Sequence, residues 1–143
     1  MIEHRKPVTI LLVEDDDADA KAVRRAFRMA HVPNPIRRAV DGLEALEILK
    51  GEGGVDKLGR PYLLLTDLNM PRLNGVEFIR SIREDLNLRD TIVFMLTTSN
   101  REEDRAACYG LHVAGYILKE TAGADFTDLV SMLEAFSRVV EMP

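Results

Sequence analysis

The sequence predicts an α/β fold, a doubly wound (βα)5 sheet of parallel strands with helices on both faces. Three observations carry this. Short apolar runs alternate with stretches of helical periodicity along the 143 residues. The strongest runs are apolar almost throughout instead of alternating, as in strands covered on both sides. Four of the runs end in polar residues, and a parallel sheet gathers the ends of its strands along one edge.

The first strand is Val8–Val13, apolar apart from Thr9. It runs into the acidic stretch Glu14-Asp15-Asp16-Asp17-Ala18-Asp19 and then a helix over Ala18–Ala30. Asp16 suits the N-cap of that helix, Asp19 stands in capping-box spacing, and Asp17 falls in the first turn, where negative charge suits the helix dipole. Arg24, Arg25 and Arg28 read as a solvated face of the same helix. Ile36–Val40 is the second strand and Leu43–Lys50 the second helix. The Gly-rich stretch 51–61 is a loop. Tyr62–Leu65 forms the third strand. Gly75 precedes the helix Val76–Glu84, in a tight turn where a positive φ is tolerated. Ile92–Leu96, Glu102–Tyr109, Val113–Leu118 and Asp125–Val140 complete the alternation. No internal repeat and no second domain is visible, so the expectation is a single domain over 1–143 with its core at about 7–140.

Composition narrows the function classes. The net charge of −5 argues against a non-specific grip on nucleic acid or on anionic lipid. Cys108 is the only cysteine, which excludes an internal disulfide and fits a reducing compartment. No apolar stretch approaches the ~18 residues of a membrane span. Met1-Ile2-Glu3-His4-Arg5-Lys6 has no signal-peptide core, so a cytoplasmic location is expected. His4, His31 and His112 have no metal-ligand spacing and read as structural or solvated.

The strand ends carry the chemistry. Glu14 and Asp15 follow the first strand, Thr66 and Asp67 the third, Thr97, Thr98 and Ser99 the fourth, and Lys119 the fifth. Several carboxylates in one cleft repel one another, and a hard divalent ion such as Mg²⁺ or Mn²⁺ relieves this through oxygen ligands. Asp15 and Asp67 are natural direct ligands, with a backbone carbonyl near Asn69 as a third. Lys119 supplies a point charge suited to a phosphoryl oxygen, and Thr97 a hydroxyl donor. Acid, metal, lysine and hydroxyl together make a phosphoryl-transfer site. No histidine, serine or cysteine stands where a nucleophile is needed, which leaves a carboxylate and an aspartyl-phosphate intermediate.

The segments LLVEDD, LLLTDLNMPRLNG, VFMLTTS and GYILK, in this order, resemble the receiver domain of bacterial two-component response regulators. The resemblance spans about residues 7–140. It implies a flavodoxin-like sheet of strand order 2-1-3-4-5. It implies Asp67 as the phosphoacceptor, Glu14 and Asp15 as the acidic pair, and Asn69 offering its backbone carbonyl to the metal. It makes Thr97 and Lys119 the phosphoryl contacts, Tyr116 the aromatic switch, and Asn69, Thr98 and Ser99 the flanking residues. A sensor histidine kinase is the implied donor, and the face of the fourth helix, fifth strand and fifth helix the implied output. On this reading the chain is no enzyme in the ordinary sense, its chemistry being confined to gain and loss of phosphate at Asp67. The short remainder after Lys119 suggests a stand-alone regulator without an output domain, and the Gly-rich insert resembles regulators paired with phytochrome-type kinases.

Two departures are visible. Glu120 stands where the family has proline after the lysine, and Glu14 replaces the commoner first aspartate. Rival readings meet specific obstacles. A phosphatase of the haloacid-dehalogenase type needs an acid two positions after the nucleophile, where this chain has Asn69. A dinucleotide-binding module needs a Gly-rich turn where this chain has acids. A receiver-like scaffold that is never phosphorylated is separated from the main reading by its response to acetyl phosphate. The last helix carries one stripe of Phe126, Leu129, Val130, Leu133 and Val140 and a second of Met132, Ala135, Phe136 and Val139. Together they exceed the ~100° face that a surface helix needs. This predicts a homodimer through the fifth helix and strand, with Phe126, Met132, Phe136, Val139 and Val140 at the interface.

Overall fold

The computed structural model describes residues 6–143; His4 and the rest of the 1–5 segment lie outside the described residues. Ten main elements alternate: β1 (Thr9–Val13), α1 (Asp17–Met29), β2 (Ile36–Ala39), α2 (Gly42–Lys50), β3 (Tyr62–Thr66), α3 (Gly75–Glu84), β4 (Val93–Thr97), α4 (Glu102–Gly110), β5 (Gly115–Leu118) and α5 (Thr127–Val139). All neighbouring strands pair in parallel, in the order β2-β1-β3-β4-β5.

The burial pattern follows from this order. β3 and β4 are buried along their whole length, and β1 is buried after Thr9, whereas β5 at one edge is only half-buried. Side chains alternate between the faces, as the strand period of two requires. Leu11, Val13, Leu64 and Met95 pack with Ala45, Ile48, Phe78, Ile79, Ile82 and Cys108 from α2, α3 and α4. Ile10, Leu12, Leu63, Leu65, Phe94 and Leu96 pack with Val23, Phe27, Leu129, Val130 and Leu133 from α1 and α5. Burial pushes the Cys108 thiol up to about 11, which keeps it protonated and inert at neutral pH.

Three helix starts are capped in the same way. Asp16, Asp41 and Asn74 accept the backbone N–H of Asp19, Glu44 and Glu77 at 2.9, 2.9 and 3.0 Å. Such caps contribute about 1 kcal/mol each. Arg24, Arg25 and Arg28 are exposed, as a solvated face requires.

The structure corrects two expectations. Gly75 has no positive φ; it is needed because a Cβ there would lie 2.6 Å from the Asp67 carbonyl oxygen and 2.8 Å from Leu68 Cα. The last helix begins at Thr127 instead of Asp125, since Asp125 and Phe126 adopt φ of 50° and 61° in a short 3-10 turn. Part of the apolar surface around that helix is covered by this chain itself. Phe136 meets Phe94 edge to face at 5.1 Å, and Phe126 and Met132 pack on the same cluster. Val139 is left 68% exposed. No helix among the described residues is long and apolar enough to cross a membrane.

Candidate functional site

The carboxyl edge of the sheet is built by backbone bonds that run on past the strands. The Asp67 N–H donates to the Val13 carbonyl at 2.9 Å, which extends the β1–β3 ladder by one step. The Glu14 N–H donates to the Ala39 carbonyl at 3.0 Å, doing the same towards β2. Glu14 and Asp67 are thus held as rigidly as strand residues. The Asp67 carboxylate also accepts the Leu68 N–H at 2.7 Å, and Gly75 lets the start of α3 pack directly against the Asp67 carbonyl. One carboxylate oxygen each from Glu14, Asp15 and Asp67 lies within 4.8 Å of the others. Glu14 is buried, Asp67 half-buried and Asp15 exposed, so the cup is closed beneath and open above.

Lys119 reaches into this cup from the end of β5. Its Nζ donates to Glu14 Oε1 at 2.7 Å and to Asp19 Oδ2 at 2.6 Å, and lies 3.5 Å from Asp67 Oδ2. Glu120 leaves this reach intact: Lys119–Thr121 forms a 3-10 turn with the Glu120 side chain exposed. Burial pulls the Lys119 ammonium down, but its bonds to Asp19 and Glu14 and the charge of Asp67 outweigh this and hold it well above the usual lysine range. Glu14 moves the other way from an ordinary salt-bridged acid. Burial, reinforced by the Asp67 charge, pushes it from 4.5 to about 7 despite the bond from Lys119. One lysine faces three carboxylates here, those of Glu14, Asp19 and Asp67. Hard oxygen donors, excess negative charge and an open side together fit a divalent cation.

The remaining predicted residues divide by position. Thr97 ends β4, fully buried, and its hydroxyl accepts the Ser99 N–H at 3.1 Å. Thr98, the next residue, is exposed. Ser99 is a junction: its carbonyl accepts the Tyr116 hydroxyl at 2.9 Å, and its own hydroxyl donates to Asp104 on α4. Burial raises the Tyr116 phenol, which therefore stays protonated as the donor of that bond. Asn69 is exposed in the turn after Asp67.

Two contributors escape a reading of strand ends. Asp19 has the expected capping-box spacing, yet its side chain turns to Lys119 instead of closing the box. Arg38 on β2 donates twice to the Glu14 carbonyl, at 3.0 and 2.8 Å, and once to Asp17 at 2.6 Å. The only available signals were the excess of acids in the first turn of α1 and an arginine in an otherwise strand-like run.

Residues 10–133 match the model of the response regulator receiver domain. The chain belongs to that family. As a receiver domain it is a phosphoacceptor signalling module of two-component systems. It is 35% identical over 134 residues to the response regulator Rcp1 of Synechocystis, a match covering 94% of this chain and 91% of that protein. It is 34% identical to the probable methanogenesis regulatory protein FilR2 of Methanothrix harundinacea, over 95% of this chain and 87% of the other. Among solved structures, the phosphorylated cyanobacterial phytochrome response regulator RcpA superposes with a TM-score of 0.86 at 34% identity, covering 96% of this receiver and 99% of RcpA. The Mn²⁺-bound form of Rcp1 gives 0.84 at 35% identity, with the same coverage of each chain. The receiver fold and its strand order agree with what the family resemblance implies, and the phytochrome-associated relatives agree with the reading of the Gly-rich insert.

Proposed function

We propose that Asp67 accepts a phosphoryl group from the phosphohistidine of a sensor kinase of the phytochrome type. The observation that carries this is the meeting of Glu14, Asp15 and Asp67 within 4.8 Å of one another, with the Lys119 ammonium beside them. An Asp67 carboxylate oxygen attacks phosphorus, the bond from phosphorus to the imidazole nitrogen breaks, and that nitrogen leaves with the electron pair. An acyl phosphate on Asp67 results. Glu14, Asp15 and Asp67, with the Asn69 backbone carbonyl, would hold Mg²⁺ or Mn²⁺. When bound, such an ion neutralises charge on the phosphoryl oxygens. Lys119 orients the new anion from one side and the Thr97 hydroxyl donates to it from the other. To do so Thr97 turns from the Ser99 N–H, and Tyr116 passes the change to the face formed by α4, β5 and α5. Chemistry stays at Asp67, with no turnover of a free substrate. The similarity to Rcp1 and to the phytochrome response regulator RcpA supports a partner kinase of that type, and we place the protein in the cytoplasm beside it.

The test is incubation with acetyl phosphate and Mg²⁺, read by intact mass. The wild type gains one phosphoryl group and Asp67→Asn none; a persistent gain in Asp67→Asn would overturn the assignment. Light-dependent transfer from a phytochrome-type kinase of the same organism tests the partner.

A second reading concerns assembly. We infer a homodimer through α5 and β5, supported by the exposed Val139 beside the half-buried Phe126, Met132, Phe136 and Val140, and by the half-buried edge strand β5. Light scattering gives a dimer mass, with or without a beryllofluoride phosphoryl mimic, and Val139→Asp lowers it. A monomer mass in both states would overturn the inference.

A further inference from the structure

We infer that Asp19 is a positioning residue that holds the Lys119 ammonium away from Asp67 and so slows phosphorylation. This rests on the reading of Asp67 as phosphoacceptor. The lysine stands off-centre: Nζ is 2.6 Å from Asp19 and 2.7 Å from Glu14, but 3.5 Å from Asp67. An ammonium has three protons to donate, and two are committed to short charge-assisted bonds to Asp19 and Glu14. Asp19 lies outside the group of carboxylates whose oxygens converge for a cation, so a bound ion leaves it free to keep its grip on the lysine.

The helix supplies the rigidity. Asp19 is the third residue of α1, and its N–H is fixed by the Asp16 cap at 2.9 Å. Its carboxylate therefore projects from a held backbone, and the lysine, on a flexible stem, is the partner that moves. A phosphoryl group arriving on Asp67 competes with Asp19 for the same ammonium. The side chain of Asp19 is 36% exposed against 11% for Lys119, so this competitor is partly solvated and can be outcompeted. Asp19 thereby acts as a brake on the lysine and not as a barrier to it.

The experiment follows phosphoryl uptake from acetyl phosphate at saturating Mg²⁺. Asp19→Ala raises the rate constant about fivefold, the scale of a partly exposed ion pair. Asp19→Asn, which keeps the shape and a neutral acceptor, gives a smaller rise in the same direction, and Asp19→Glu returns the rate towards wild type. Two measurements separate positioning from the mere loss of a negative charge that repels the anionic donor. In a Lys119→Ala background the acceleration by Asp19→Ala disappears, and in the wild-type background it survives high salt, which screens exposed charges. An acceleration that persists without Lys119, or vanishes in salt, overturns the proposal, as does an unchanged rate. Uptake by Asp67→Asn would instead overturn the phosphoacceptor reading alone.

Discussion

Two cations sit at opposite edges of the sheet, and they are held in opposite ways. At the carboxyl edge Lys119 faces Glu14, Asp19 and Asp67, more negative charge than it can cancel. At the amino edge Arg83, near the end of α3, donates to the carbonyls of Leu111, Arg89, Thr91 and His112 at 2.8, 2.8, 2.7 and 3.1 Å. Burial lowers the Arg83 guanidinium, with the charge of Asp90 pulling it back, yet it remains a cation solvated by backbone dipoles. Its bonds tie the loop before β4 to the loop before β5; the neutral hydroxyl of Thr91 in the same loop is buried without a hydrogen-bond partner. One edge spends its cation on geometry. The other keeps an excess of like charge that a metal ion and a phosphoryl group can enter. Local conflict of this kind marks a functional edge in a fold that is otherwise consistent.

Three experiments press on this contrast. Lys119→Ala has the largest expected effect: phosphoryl uptake falls by about 10²–10³-fold, the scale of removing one charged donor from a transition state. The fold is retained, as shown by an unchanged circular dichroism spectrum. Arg83→Ala does the reverse. It lowers unfolding free energy in urea by about 3 kcal/mol, while the folded protein takes up phosphate at the wild-type rate. A variant that lost uptake while folded would show that the two edges are coupled and break the contrast. The smallest effect is a pH dependence. The Glu14 carboxyl sits at about 7 in the folded chain against 4.5 ordinarily. A carboxyl raised on folding contributes stability below its unfolded value, and that contribution is lost as pH rises through the folded one. Metal-free protein therefore loses stability between pH 4.5 and about 7. Mg²⁺, which favours the ionised carboxylates, flattens this slope. Melting temperatures across that window, in chelator and in Mg²⁺, check it.

Much of this was legible before any coordinates. Apolar runs located β1, β3 and β4 because a strand buried on both faces has almost no room for polar residues, while the half-buried edge strands β2 and β5 carry weaker runs; the observed ends differ from the expected ones by a residue or two. Glu14, Asp15, Asp67, Thr97 and Lys119 were legible because a parallel sheet turns the ends of strands into neighbours. The rest depended on information that periodicity does not hold. Strand order came from family resemblance. The late start of α5 depends on positive φ at Asp125 and Phe126, residues with nothing in their pattern to forbid a helix. Asp19 and Lys119 are 100 residues apart, and capping-box spacing already offered Asp19 a local role. Gly75 was noticed for the wrong reason, because a close approach and a left-handed turn select the same residue. The two stripes of α5 were read correctly as apolar, but Phe94 was not foreseen as the cover for Phe136.

Ser99 gives the loop between β4 and α4 a single way to move. Its amide is engaged by Thr97, its carbonyl by Tyr116 and its hydroxyl by Asp104, so three elements meet in one residue. A linkage pinned at three points transmits displacement without slack. In the mechanism proposed above, the amide that Thr97 would release belongs to the same residue that anchors the tyrosine and the fourth helix. A displacement of Thr97 would then reach Tyr116 and Asp104 through one residue, with little room for graded intermediate settings.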